Sequence, residues 1–178
     1  VPSKVHVLNT VYSNESVMTE KGRATIKKNV LRDAFYKGNI WHLLPYMIRN
    51  SAKMLRRKKF DPEKIVWRMI ADAAPVFHET YDLAVAYLEG ASTYYVAEHV
   101  QAKKKAAFIH IDYGKAGYTK DLDQNCYDKI DRIFTVSDET KTHFEEVYPE
   151  YANKVFVFHN IIDEEDMKRK AKEKIGFA

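Results

Sequence analysis

The chain has 178 residues, of which 46% are hydrophobic and 30% charged, a balance that excludes a fibrous or mainly disordered protein and suits one domain with its own core. Its one cysteine, Cys126, excludes a disulfide framework, no Cys/His spacing resembles a zinc site, and no apolar run approaches the roughly 20 residues of a membrane span. The net charge of +4 is uneven: residues 1–60 hold 13 Lys/Arg against 3 Asp/Glu, and residues 61–178 hold 16 against 22. The basic part is suited to phosphate, an acidic membrane surface or nucleic acid, unless the two parts pair with each other across the fold.

In chain order, Val1 to Lys4 carries neither an initiator methionine nor the apolar core of a signal peptide, so the expectation is a chain cut from something longer. Lys4 to Asn9 alternates like a strand, and Ser13 to Lys28 has no sustained period and reads as a loop. From Gly38, apolar residues recur at helical spacing through Leu55, with Pro45 in a first turn or at a kink, and the helix closes on Arg56, Arg57, Lys58 and Lys59. Cations at that end complement the helix dipole, so part of the cluster has a purely structural reason. Asp61 and Pro62 then open a second helix, as N-cap and first helical residue, running to about Phe77. Asp82 to Leu88 is a short, nearly all-apolar run expected to be buried on both faces of a parallel sheet. A helix capped by Ser92, a strand from Lys105 to Ile111, a short helix from Asp123 to Ile130 and a strand from Arg132 to Val136 follow. Ser137 caps the next helix, Lys154 to Phe158 is the last strand, and Glu164 to Lys174 is a charged terminal helix. Four strands alternating with helices predict an α/β, Rossmann-like three-layer domain with a mostly parallel sheet and a helix-rich basic segment near its N-terminus.

Ligands of such sheets bind beyond the carboxyl ends of the strands. That rule selects Glu89 and Gly90 after the first apolar strand, where the glycine lets main chain approach a ligand or simply serves a tight turn. His110, Asp112 and Tyr113 follow the second strand, with Gly114, Lys115, Gly117, Tyr118 and Lys120 on a loop able to close over a ligand. A histidine there can donate a hydrogen bond or carry a proton, although a lone histidine is more often structural. Ser137 follows the third strand, as an N-cap or a phosphate contact. Asn160 and Asp163 follow the fourth, with Asp163 placed to cap the last helix. The chain has no GxGxxG, P-loop, GxSxG or HExxH motif, and Cys126 has no base evident beside it, so it reads as a core or surface thiol.

Four pieces in order, Tyr81 to Gly90 (YDLAVAYLEG), Lys104 to Tyr113 (KKAAFIHIDY), Tyr127 to Ser137 (YDKIDRIFTVS) and Lys154 to Asp163 (KVFVFHNIID), resemble the N-terminal domain of group 1 (family 4) glycosyltransferases. The resemblance covers about residues 78–175 and implies one half of a GT-B enzyme, in which two Rossmann-like domains face across a cleft. It implies an acceptor-side domain of a retaining, hexosyltransferase-like enzyme that moves a sugar from a nucleotide-sugar donor to a glycan or lipid-linked acceptor. His110 matches the strand-end histidine near the transferred sugar and is the catalytic candidate; Glu89, Gly90, Asp112, Tyr113, Ser137 and Asn160 are the substrate-binding candidates. Ile161 stands where the family has glycine, which alters the local turn. No metal is obligatory, and the nucleotide-sugar belongs to a donor domain that this chain lacks, so it is expected to be inactive alone. The resemblance further implies a cytoplasmic protein, peripheral on the inner membrane face, with residues 38–60 meeting anionic lipid; a helix simply packed on the sheet is the competing reading of that segment. The alternative class is a non-enzymatic α/β binding module using its basic half for a membrane surface or, less fittingly, nucleic acid.

Overall fold

The computed structural model describes residues 39–58, 61–73 and 76–173, with Lys4, Glu20, Ala24, Lys28 and Arg32 placed singly. All but the first residue of the expected strand Lys4 to Asn9 lies outside these, as does Lys174 at the end of the expected terminal helix. Within the expected loop from Ser13 to Lys28, Glu20, Ala24 and Lys28 are helical, and these are good helix formers whose polar spacing hides their period.

Helix α1, Asn39–Arg56, has two apolar faces. Leu43, Tyr46 and Met54 are buried with Ile65 and Leu122, whereas Trp41, Ile48 and Leu55 on the other side are 73%, 63% and 64% exposed. Pro45 lies inside this helix rather than in its first turn. Helix α2, Pro62–Ala73, is shorter than expected.

An α/β, Rossmann-like core follows. Strands β1 (Thr80–Ala86), β2 (Gln101–Ile109), β3 (Arg132–Thr135) and β4 (Val155–Val157) form one all-parallel sheet in the order β1-β2-β3-β4. Between them run α3 (Ala91–His99), the short α4 (Lys120–Asp123) with a 3-10 turn at Cys126–Lys129, and α5 (Asp138–Val147) with a second 3-10 turn at Pro149–Lys154. Helix α6, Glu164–Lys170, closes the described chain and has no buried residue.

Neighbouring strands that are consecutive in sequence, joined by right-handed crossovers, place all their connecting helices on one face of the sheet. The core lies there: Ala84, Ala86, Ala107, Ile109, Ile133 and Val155 meet Tyr94, Ala97, Tyr127, Phe144 and Tyr148. Alanines on the strands let large aromatic side chains fill the layer, and burying each Ile or Phe side chain is worth about 1.5–3 kcal/mol. The opposite face holds Leu83, Val85, Tyr87, Phe156 and Phe158, all exposed, with Phe108 and Phe134 half-buried. Its rings form a row across the strands, with centroids 5.0 Å apart for Tyr87–Phe108, 5.2 Å for Phe108–Phe134 and 6.3 Å for Phe134–Phe156. The first apolar strand is therefore buried on one face only, contrary to the expectation from its unbroken apolar run.

Strand limits also shift. β2 starts four residues before the expected Lys105, because Thr80 pairs with Gln101 and Leu83 with Lys104, and an exposed Lys103–Asp82 ion pair (2.6 Å) runs between the two strands. Instead of one helix from Asp123 to Ile130, two short turns meet at Gln124 and Asn125, both with positive φ.

Candidate functional site

The carboxyl ends of the strands are built from main chain outward. His110 directly follows β2; its backbone N–H donates to Glu89 Oε2 (3.1 Å), and its ring Nε2 lies 3.0 Å from the Tyr87 carbonyl. A carbonyl can only accept, so in the neutral ring Nε2 carries the hydrogen and Nδ1 is the basic nitrogen. The ring sits beside Tyr87 and Phe108, at 6.2 and 6.1 Å, and so continues the aromatic row of the open face. Glu89 and His110 are thus brought together at this edge.

Gly90 stands at the N-cap of α3 with φ +75°, a left-handed conformation that side chains disfavour. A Cβ there would also come within 2.8 Å of the Tyr118 hydroxyl, so the 113–119 loop closes onto this glycine. Ser92 does not cap α3: its hydroxyl donates to the Leu88 carbonyl at 2.6 Å.

Asp112 fastens that loop. Its Oδ1 accepts from the Lys115 N–H (2.9 Å), and its Oδ2 lies 2.8 Å from Lys115 Nζ and 2.9 Å from His143 Nδ1 on α5. The Lys115 ammonium and backbone N–H, with His143 adding a smaller part, hold the Asp112 carboxyl below the usual carboxylate range. His143 was missed in the sequence; its signal was a position one before Phe144, at the margin of the buried side of α5. Ser137 caps α5 by accepting from the Thr140 N–H at 3.1 Å. Asp138 and Glu139 fill the first turn, so their charge opposes a phosphate there. Asn160 is exposed beyond β4, and Asp163 caps α6 through the Asp166 N–H at 2.9 Å.

Tyr113 is a correction. It is fully buried, stacked on Tyr118 at 4.7 Å, and its hydroxyl donates to Asp123 Oδ2 at 2.8 Å, so it faces the core and not the strand-end edge. Asp123, itself fully buried, also accepts from Tyr94 at 2.7 Å and Tyr148 at 2.6 Å, while the Tyr113 and Tyr127 hydroxyls meet at 2.9 Å. Burial pushes the Asp123 carboxyl up to about 6 against the downward pull of the tyrosine hydroxyls. This network braces the 113–119 loop, α3 and α5 from beneath. Cys126 is buried beside it, and burial raises its thiol well above the usual range.

Among the described residues no group of three or more His, Cys, Asp or Glu is placed to hold a metal ion, and no helix is long and apolar enough to cross a membrane. No family model matches the chain, and no curated protein or solved structure matches it significantly. Function therefore rests on the site itself.

Proposed function

We propose that this chain is the acceptor-side domain of a glycosyltransferase, holding a glycan or lipid-linked acceptor while a separate domain supplies the nucleotide-sugar. The observation that carries the reading is His110, held at the carboxyl end of a parallel strand by two backbone-level contacts, to Glu89 and to Tyr87. That is the edge where ligands of parallel sheets bind. In the tautomer set by the Tyr87 carbonyl, Nδ1 accepts a hydrogen bond from a sugar hydroxyl, with Glu89 beside it. Retaining transfer, the absence of an obligatory metal and a cytoplasmic, peripheral location belong to the same proposal. The test is a titration of the chain with oligosaccharides, followed by amide and imidazole chemical shifts. Saturable shifts at Glu89, Gly90 and His110 that vanish in His110→Ala, with the rest of the spectrum unchanged, are expected. An unresponsive strand-end edge, or shifts that survive His110→Ala, overturns the reading.

A second reading concerns α1. Trp41, Leu44, Ile48 and Leu55 form an exposed apolar stripe at spacings of three, four and seven, flanked by Arg49 and Arg56, and the helix contains no acidic residue. A stripe with cations along one side suits the interface of an anionic bilayer better than nucleic acid, which offers no apolar phase for Trp41 and Ile48. Co-sedimentation with phosphatidylglycerol vesicles should weaken strongly in the Trp41→Ser, Ile48→Ser pair. Unchanged sedimentation removes this reading.

A further inference from the structure

Between the C-terminal half of α1, the start of α2 and the 113–119 loop lies a cavity of about 160 Å³ that neither reading above uses. Whole small-molecule sites usually measure about 300–1,000 Å³, so this one has room for a single small group. One wall carries Lys53 from α1 and Arg57 from the turn just past its end, with the buried Asn50 also on the lining. The facing wall is Gly114, Ala116 and Gly117, which together present one methyl group and otherwise bare main chain. Gly117 has φ +86°, so the loop path itself requires a glycine there.

The charges do not cancel. Lys53 and Arg49 share Asp121, and Asp61, a carboxylate on the cavity wall, is taken by Lys64 at 2.7 Å. Arg57, also on the cavity wall, has no acidic partner among the described residues. The helix dipole accounts for a cation in this turn, but not for a guanidinium beside a cavity walled by glycine main chain. A planar guanidinium suits the paired oxygens of a phosphate, and Lys53 adds a second positive charge.

We propose that this cavity binds the phosphate of a phosphate monoester, with Arg57 as its principal contact. The site is independent of His110 and of sugar transfer. A soluble monoester and a lipid headgroup share this chemistry, so the experiment has two arms. The full chain is titrated calorimetrically with glycerol 3-phosphate, and is sedimented with neutral phosphatidylcholine vesicles containing phosphatidic acid. The variants are Arg57→Ala, which removes an exposed side chain, and Lys103→Ala, which removes the same charge from the strand β2 surface. Saturable binding in either arm that falls at least tenfold in Arg57→Ala and holds in Lys103→Ala supports the site. Binding of glycerol 3-phosphate assigns a soluble ligand, and binding of vesicles alone assigns a headgroup. The Trp41→Ser, Ile48→Ser pair separates this from apolar docking, because it should leave glycerol 3-phosphate binding intact. No saturable binding in either arm, or equal loss in Arg57→Ala and Lys103→Ala, overturns the proposal.

Discussion

On its helix-covered face the sheet presents mostly small or aliphatic side chains, Ala84, Ala86, Ala107, Ile109 and Ile133, all buried under rings from α3, α5 and the intervening turns. Its other face presents larger ones, Leu83, Tyr87, Phe108, Phe134 and Phe156, none of them fully covered by the described residues. Size and hydrophobicity alone would have ranked the two faces the other way round. What decides burial is the order of the strands, because consecutive parallel neighbours send every crossover to the same side. The contrast extends to polarity, since the covered side also encloses the carboxylate of Asp123, which has no fully buried counterpart on the open side among the described residues.

The sharpest way to break this comparison is to truncate one ring on each side. Phe144→Ala, in the centre of the covered core, should cost about 3–5 kcal/mol in urea unfolding, and Phe156→Ala on the open face less than about 1 kcal/mol. Equal losses would mean that the open face is covered in solution. Next in size is the enclosed carboxylate. Asp123 is raised to about 6 in the fold, against about 3.9 unfolded, so the folded form binds its proton more tightly than the unfolded chain. Its contribution to stability is full below about pH 4, is lost as pH rises to about 6, and stays lost above that. The stability difference between wild type and Asp123→Asn should therefore fall by about 2 kcal/mol from pH 4 to pH 7, whereas a constant difference would show that burial leaves this carboxyl unshifted.

Gly90→Ala comes third. It forces a side chain into a left-handed conformation and against the Tyr118 hydroxyl, for a loss of about 1–3 kcal/mol that Tyr118→Phe in the same chain should partly relieve. No relief would indicate that backbone strain, and not the contact between loop and glycine, sets the effect. The smallest is Ser137→Ala, which removes only the α5 cap and should lower stability by about 1 kcal/mol. A larger loss would give Ser137 more than its capping role.

The alternation of apolar runs with helical segments was legible, and so were the caps at Ser137 and Asp163, because each depends on residues close together in sequence. Strand positions were less so. Gln101 to Lys104 look polar, yet they pair with β1 at a free surface where lysine stems and ion pairs are tolerated. The one-sided burial of β1 was hidden because an unbroken apolar run cannot show which face is covered. At the candidate site, the strand-end rule selected Glu89, Gly90 and His110, and it needs only local order. Tyr113 was misassigned, and the Asp123 cluster was unseen, because Tyr94, Tyr113, Tyr127 and Tyr148 come from separate elements and no spacing announces a shared carboxylate.

Cys126 turns the covered core into something that can be timed. It is the chain's one thiol, it is buried, and its raised pKa keeps it in the unreactive protonated form. An alkylating reagent can modify it only when the layer over the sheet opens, so the labelling rate in native buffer counts those openings. A second cysteine at Ile161, which is 88% exposed, would react immediately with the same reagent. One molecule would then carry both a fast internal standard and a slow clock, and each core substitution above could be read as a change in the ratio of their rates.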